Sequence, residues 1–126
     1  QYERMGDMSE ITFRVPGPPQ NWERARTDGT RHFTSKASRD YKRHVRACAG
    51  LAMMGAYPLN VRVGVDIAIT YADKRRRDLD NGAKALLDAM NGIVYVDDSQ
   101  IDDLRVRRVA GEVGVTVRVY ALEGSK

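Results

Sequence analysis

Val61-Arg62-Val63-Gly64-Val65-Asp66-Ile67-Ala68-Ile69-Thr70-Tyr71 is followed, after three residues, by Arg75-Arg76-Arg77-Asp78-Leu79-Asp80-Asn81-Gly82-Ala83-Lys84. In the first stretch Val61, Val63, Val65, Ile67 and Ile69 occupy every second position. That is the period of a half-buried strand. Its other face carries Arg62, Gly64, Asp66 and Ala68. Beyond Asp80 the period changes, because Ala83, Leu86, Leu87 and Met90 recur at helical spacing and Gly92 supplies a C-terminus. A densely charged joint therefore connects a strand to a helix.

The joint stands out against the rest of the chain. Lys and Arg total 21 against 17 Asp and Glu, the formal net charge is +4 and the sequence pI is about 9.4. A polyanion is the natural partner of such a chain. Carboxylates bunched inside it point to a divalent metal, since Mg²⁺ takes hard oxygen ligands, commonly one or two carboxylates together with phosphate oxygens. Asp78 and Asp80, two apart in extended or turning backbone, point to one side. Asp80 or Asn81 also suits a helix cap. Asp80, Lys84 and Asp88 recur every four residues and share a helix face. An ammonium there is placed to stabilise charge on a metal-bound phosphate. A second acidic pair, Asp97-Asp98, follows downstream. A salt bridge accounts for Asp88 as well as a functional role does. The residues alone lead to metal-dependent chemistry on a phosphodiester backbone.

Working outward toward the N-terminus, Ile11, Phe13 and Val15 alternate with polar neighbours and predict a first strand. Pro16-Gly17-Pro18-Pro19 ends it, since proline cannot continue a ladder. Gln20 to Phe33 is a long polar loop with Asn21, Trp22, Arg24, Arg26, Arg31 and His32. Loops of that length are commonly functional. Basic residues interleaved with Trp22 and Phe33 suit phosphate contact and base stacking, against the alternative of a mobile surface loop anchored by tryptophan. Thr34 or Ser35 caps a helix running to about Met54. Tyr41, Val45, Cys48, Ala49 and Ala52 form its apolar stripe, and Lys36, Arg39, Lys42, Arg43 and Arg46 its basic face. That face is either simply solvated or a phosphate track. Residues 1–9 are polar and unpatterned, a flexible lead-in with Met5 and Met8 as candidate starts.

Toward the C-terminus, Ile93 to Val96 is a short apolar run leading into Asp97-Asp98. Leu104, Val106 and Val109 suggest another strand, Ala110-Gly111-Glu112 a turn, and Val113, Val115, Val117 and Val119 a last strand. Two strands joined by so short a turn are expected to form an antiparallel hairpin. The order is strand, loop, helix, strand, helix, strand, strand. The fold class is α/β (α+β): a single small domain over residues 10–126, one mixed sheet with helices packed on it. No apolar run is long enough to span a membrane, and the lone Cys48 cannot form an intramolecular disulfide. There is no zinc-spaced His/Cys set and no phosphate loop, so no nucleotide cofactor is expected.

Arg-Arg-Arg-Asp-Leu-Asp-Asn-x-x-Lys, then Asp88, then Asp97-Asp98-x-Gln100-Ile101, resembles the core of the RusA family of Holliday junction resolvases. The Pro-x-Pro-Pro-x-Asn segment starting at Pro16, with Thr34 and Tyr41, extends the likeness over most of the chain. The resemblance implies a small homodimeric endonuclease of phage or prophage origin that acts on branched DNA in the bacterial or phage-infected cytoplasm. It implies Mg²⁺, with Mn²⁺ as a substitute, and a catalytic set of Asp78, Asp80, Lys84 and Asp98. Of these, Asp78, Asp80 and Asp98 would bind the metal. Asn21, Arg24, Arg26, Arg31, Lys36, Arg75, Arg76 and Arg77 are the expected DNA contacts. A metal nuclease of forks or flaps, and a DNA-binding module without catalysis, are the alternatives.

Overall fold

The computed structural model describes residues 9–20, 26–27, 32–33 and 35–122. Strand β1 (Glu10–Pro16) buries Ile11, Phe13 and Val15 and exposes the residues between them, as the alternation predicts. The lead-in expected over residues 1–9 lies outside the described residues except for Ser9, whose carbonyl accepts the Ala121 N–H at 2.8 Å. Within the expected structureless loop, β2 (Arg26–Thr27) pairs antiparallel with β3 (His32–Phe33). Asn21, Trp22, Arg24, Arg31 and Thr34 lie outside the described residues.

Helix α1 (Lys36–Met53) starts on Ser35, whose hydroxyl accepts the Ser38 N–H at 3.1 Å. It stops where Met54 turns left-handed (φ 51°) and returns its N–H to the Gly50 carbonyl. Val45, Ala49 and Met53 are buried, and Tyr41, Cys48 and Ala52 pack half-buried beside them. The predicted apolar stripe is therefore the docking face, and Cys48 flanks the core.

The remaining elements are β4 (Val63–Thr70), α2 (Leu79–Ala89), a short 3₁₀ turn (Asp98–Gln100), β5 (Ile101–Arg108) and β6 (Gly114–Ala121). The four long strands form one mixed sheet in the order β1-β6-β4-β5. β4 runs parallel to β5 and antiparallel to β6, and β6 runs antiparallel to β1. The expected hairpin between the last two strands does not form, because β4 lies between them. Burial explains the order. β4 is buried along most of its length and takes the centre, whereas β5 is exposed at Asp102, Asp103, Arg105 and Arg107 and takes an edge. Charge on an edge strand opposes further pairing. The crossover through α2 makes β5 parallel to β4, as a helical connection between neighbouring strands does.

One face of the sheet presents Ile11, Phe13, Val15, Val63, Val65, Ile67, Ile69, Val115, Val117 and Val119 to a single core shared with both helices. On the other face Gly64 lies opposite Tyr120. A Cβ built on Gly64 would sit 2.3 Å from the Tyr120 ring, so only glycine admits the ring in this position. No helix among the described residues is long and apolar enough to cross a membrane.

Candidate active site

Helix α2 begins on Asp78, whose Oδ1 accepts the Asp80 N–H at 3.1 Å. The cap is thus Asp78, where the sequence suggested Asp80 or Asn81. Asp80 is already helical, so the two carboxylates do not project together from extended backbone. Asp78 stays at the helix start, where the N-terminal dipole favours negative charge. Asp80 joins the face it shares with Lys84 and Asp88, as the four-residue spacing predicts.

That face opens on a cleft of about 510 Å³ between α2 and β5. Ala83, Leu87 and Leu104 form its apolar part, and Asp80, Lys84, Asp88 and Asp98 its polar part. Leu104 belongs to the expected strand pattern but stands exposed, because it lies on the edge strand and faces the cleft. Asp98 comes from far along the chain, and local bonds deliver it. Asp97 caps the 3₁₀ turn: its carboxylate accepts the Ser99 N–H at 3.0 Å and its own N–H donates to Gln100 Oε1 at 2.8 Å. The Ser99 hydroxyl and N–H hold the Asp97 carboxyl below the usual carboxylate range. Asp97 is thereby committed to the turn, and Asp98 is the member of the pair that lines the cleft.

The turn is itself anchored. Gln100 Nε2 donates to the carbonyls of Leu59 (2.9 Å) and Val61 (2.8 Å), and Arg62 binds the Ser99 carbonyl and the Asp102 carboxylate. Tyr95 is fully buried and donates its hydroxyl to the Leu87 carbonyl of α2 at 2.7 Å. The roles of Gln100, Arg62 and Tyr95 were not read from the sequence. The Asp97-x-x-Gln100 spacing, an acidic variant of the helix capping box, is the signal that marks the first of them.

Among the described residues no group of three or more His, Cys, Asp or Glu side chains is gathered to hold a metal. Asp78, Asp80 and Asp98 are therefore not a preassembled three-carboxylate cage. Asp80 and Asp98 nevertheless face one cleft with hard oxygen donors. That set fits Mg²⁺ or Mn²⁺ whose shell is completed by water and a substrate phosphate.

The arginine run divides by role. Arg77 pairs through its guanidinium with both Asp73 oxygens at 2.9 Å and stacks 4.8 Å from the Tyr71 ring. Arg108 covers the same ring at 4.9 Å and donates to the carbonyls of Asp73 and Arg75. Asp73, its carboxyl held low by the Arg75 N–H and the Arg77 guanidinium, is the hub of this loop. Arg77 is thus engaged internally, whereas Arg75 and Arg76 are exposed. On α1, Lys36 and Arg43 pair with Asp40 at 2.7 and 3.2 Å, and Arg46 donates to the Ala89 and Asn91 carbonyls, both at 3.0 Å. Asp88 forms the salt bridge open to it in the sequence, with Lys42 at 3.4 Å.

A family model described as endodeoxyribonuclease RusA matches residues 16–120. The crossover junction endodeoxyribonuclease rusA of Enterobacteria phage HK97 is 30% identical over 115 residues, covering 87% of this chain and 95% of that protein. The crossover junction endodeoxyribonuclease RusA of Escherichia coli strain K12 is 32% identical over 103 residues, covering 79% and 82%. The enzyme of that name from Enterobacteria phage 82 is 31% identical over the same length.

Proposed function

The chain belongs to the RusA family of endodeoxyribonucleases, and from that premise we propose that it resolves four-way DNA junctions by paired symmetric nicks, as a Mg²⁺-dependent homodimer in the bacterial or phage-infected cytoplasm. The observation that carries the reading is the α2–β5 cleft, where Asp80, Lys84 and Asp98 meet although the first and the last stand 18 positions apart. Carboxylates turned toward a phosphate backbone repel it unless a divalent ion lies between them, which is why the Asp80–Asp98 pair favours a metal-dependent nuclease over a module that only binds DNA.

Asp80 and Asp98 would hold the ion, with Asp78 beside them at the start of α2. When bound, the ion supplies an activated water and stabilises the leaving oxygen of an in-line displacement. Lys84 sets its ammonium against the scissile phosphate and offsets the charge that builds on it. The N-terminus of α2 favours a phosphate oxygen nearby through its unsatisfied N–H groups and its dipole. The buried Tyr95 and the Gln100 anchors support the reading because they fix the two sides of the cleft, so little has to be ordered when substrate arrives.

The test is cleavage of an end-labelled synthetic four-way junction against linear duplex, fork and flap, with and without Mg²⁺. Paired symmetric nicks in the junction, abolished by chelator, are the expected result. Preferential cutting of the fork or flap would keep the metal nuclease and overturn the junction assignment.

A further inference from the structure

A second groove, of about 540 Å³, opens between α1 and α2. Ser38, Arg39, Lys42, Arg43, Arg46 and Asp88 line it. Asp88 also lines the acidic cleft, so the two depressions meet at that residue. Four cations face one carboxylate here, which reverses the charge balance of the neighbouring cleft. Arg46 ties α1 to the end of α2 through the Ala89 and Asn91 carbonyls and so fixes the groove's width. Lys42 reaches across to Asp88 at 3.4 Å, and the two side chains are 51% and 50% exposed. A solvated pair of that length is held loosely. A phosphate oxygen competes well with such a carboxylate for the ammonium.

We propose that the α1–α2 groove seats the phosphate backbone of a DNA arm leading into the acidic cleft, and that Asp88 is the anion this phosphate displaces from Lys42. The proposal rests on the reading that the acidic cleft cuts DNA, and it adds where an arm lies and what selects it. In the free protein Asp88 acts as a built-in counterion. It lowers the attraction of the groove for any passing duplex, and an arm engaged in the cleft brings its phosphates close enough to replace it. Asp88 is on this account a specificity residue, and Lys42 its switchable partner.

The experiment measures anisotropy of a labelled four-way junction and of a linear duplex with the same arm sequence, in EDTA, across about 50–200 mM salt. The full chain is compared with Lys42→Ala, Asp88→Asn, the double variant and Arg118→Ala on the opposite sheet face, with circular dichroism to confirm folding. Lys42→Ala is expected to weaken junction binding and to flatten the log–log salt slope by about 1. Asp88→Asn is expected to tighten the linear duplex roughly threefold, about one phosphate contact over that salt range, and the junction by less, so that the junction preference narrows. That gain is expected to vanish in the double variant, and Arg118→Ala to leave the slope as it was. An unchanged slope in Lys42→Ala, or an Asp88→Asn gain that survives in the double variant, overturns the proposal while leaving the resolvase reading standing. A wild-type chain that neither binds nor cuts any of these DNAs overturns both.

Discussion

In the proposed site Asp78 would serve the fold and the chemistry with different properties of one side chain. An oxygen acceptor is all that the cap on the Asp80 N–H requires, and asparagine supplies one. A metal ligand must also carry charge. Asp78→Asn should therefore keep the stability of the parent and lose most junction cleavage. Asp78→Ala should lose cleavage and also about 1 kcal/mol of stability, the usual value of a cap. Thermal melts beside single-turnover cleavage separate the two losses. The arginine run splits in the same way. Arg76→Ala should flatten the salt slope of junction binding by about 1 without a change in melting. Arg77→Ala should lower the melting temperature, because it removes the guanidinium that joins Asp73 to the Tyr71 ring; equal effects from the two replacements would erase the distinction. The face shared by Asp80, Lys84 and Asp88 was legible from spacing because the helical period is local. The cap was misread because extended and helical backbone differ by a two-residue boundary that propensities do not fix.

Tyr95 beneath Leu87 and Arg46 at the C-terminal end tie helix α2 to its surroundings, and the 3₁₀ turn faces it across the cleft. The side chains of Asp97, Gln100 and Arg62 hold the turn. Gln100 makes three bonds, two to carbonyls near Leu59 and Val61 and one from the Asp97 N–H. Gln100→Ala takes the side-chain donor from the part-buried Leu59 and Val61 carbonyls, a loss of roughly 1–3 kcal/mol. Asp98 should then wander from the cleft, so that cleavage falls and needs more Mg²⁺ for half-saturation. A variant that melts lower but keeps the parental Mg²⁺ dependence would restrict Gln100 to stability. At this scale the sequence yielded strands and faces but not neighbours. Alternation in Val113 to Val119 shows which side is buried, and it is silent on whether β5 or β4 lies alongside. The short connection suggested a hairpin, yet the central place went to β4, whose Val63, Val65, Ile67 and Ile69 bury more than the charged β5 can.

For the whole molecule, the proposed dimer links the symmetry of protein and substrate. A four-way junction offers two equivalent strands, and a twofold pair of chains offers two equivalent clefts. Each cleft draws its polar groups from α2 and the Asp98–Gln100 turn of one chain, so each protomer should cut one strand independently of its partner's chemistry. Mixed dimers isolate that property. A tagged wild-type chain is combined with a differently tagged Asp80→Asn chain, and the pair carrying both tags is presented with a cruciform on a supercoiled plasmid. Wild-type dimers should give linear product, because both strands are cut before the junction dissociates. Asp80→Asn dimers should bind and leave the plasmid intact, since the substitution removes charge and hardly any shape. Mixed dimers should give nicked circles, one cut per encounter. Linear product from the mixed dimer at the wild-type rate would mean that one cleft serves both strands, and the symmetry match would no longer be the reason for pairing. A chain that sediments as a monomer at cleaving concentrations, yet still linearises the plasmid, would remove the dimer itself.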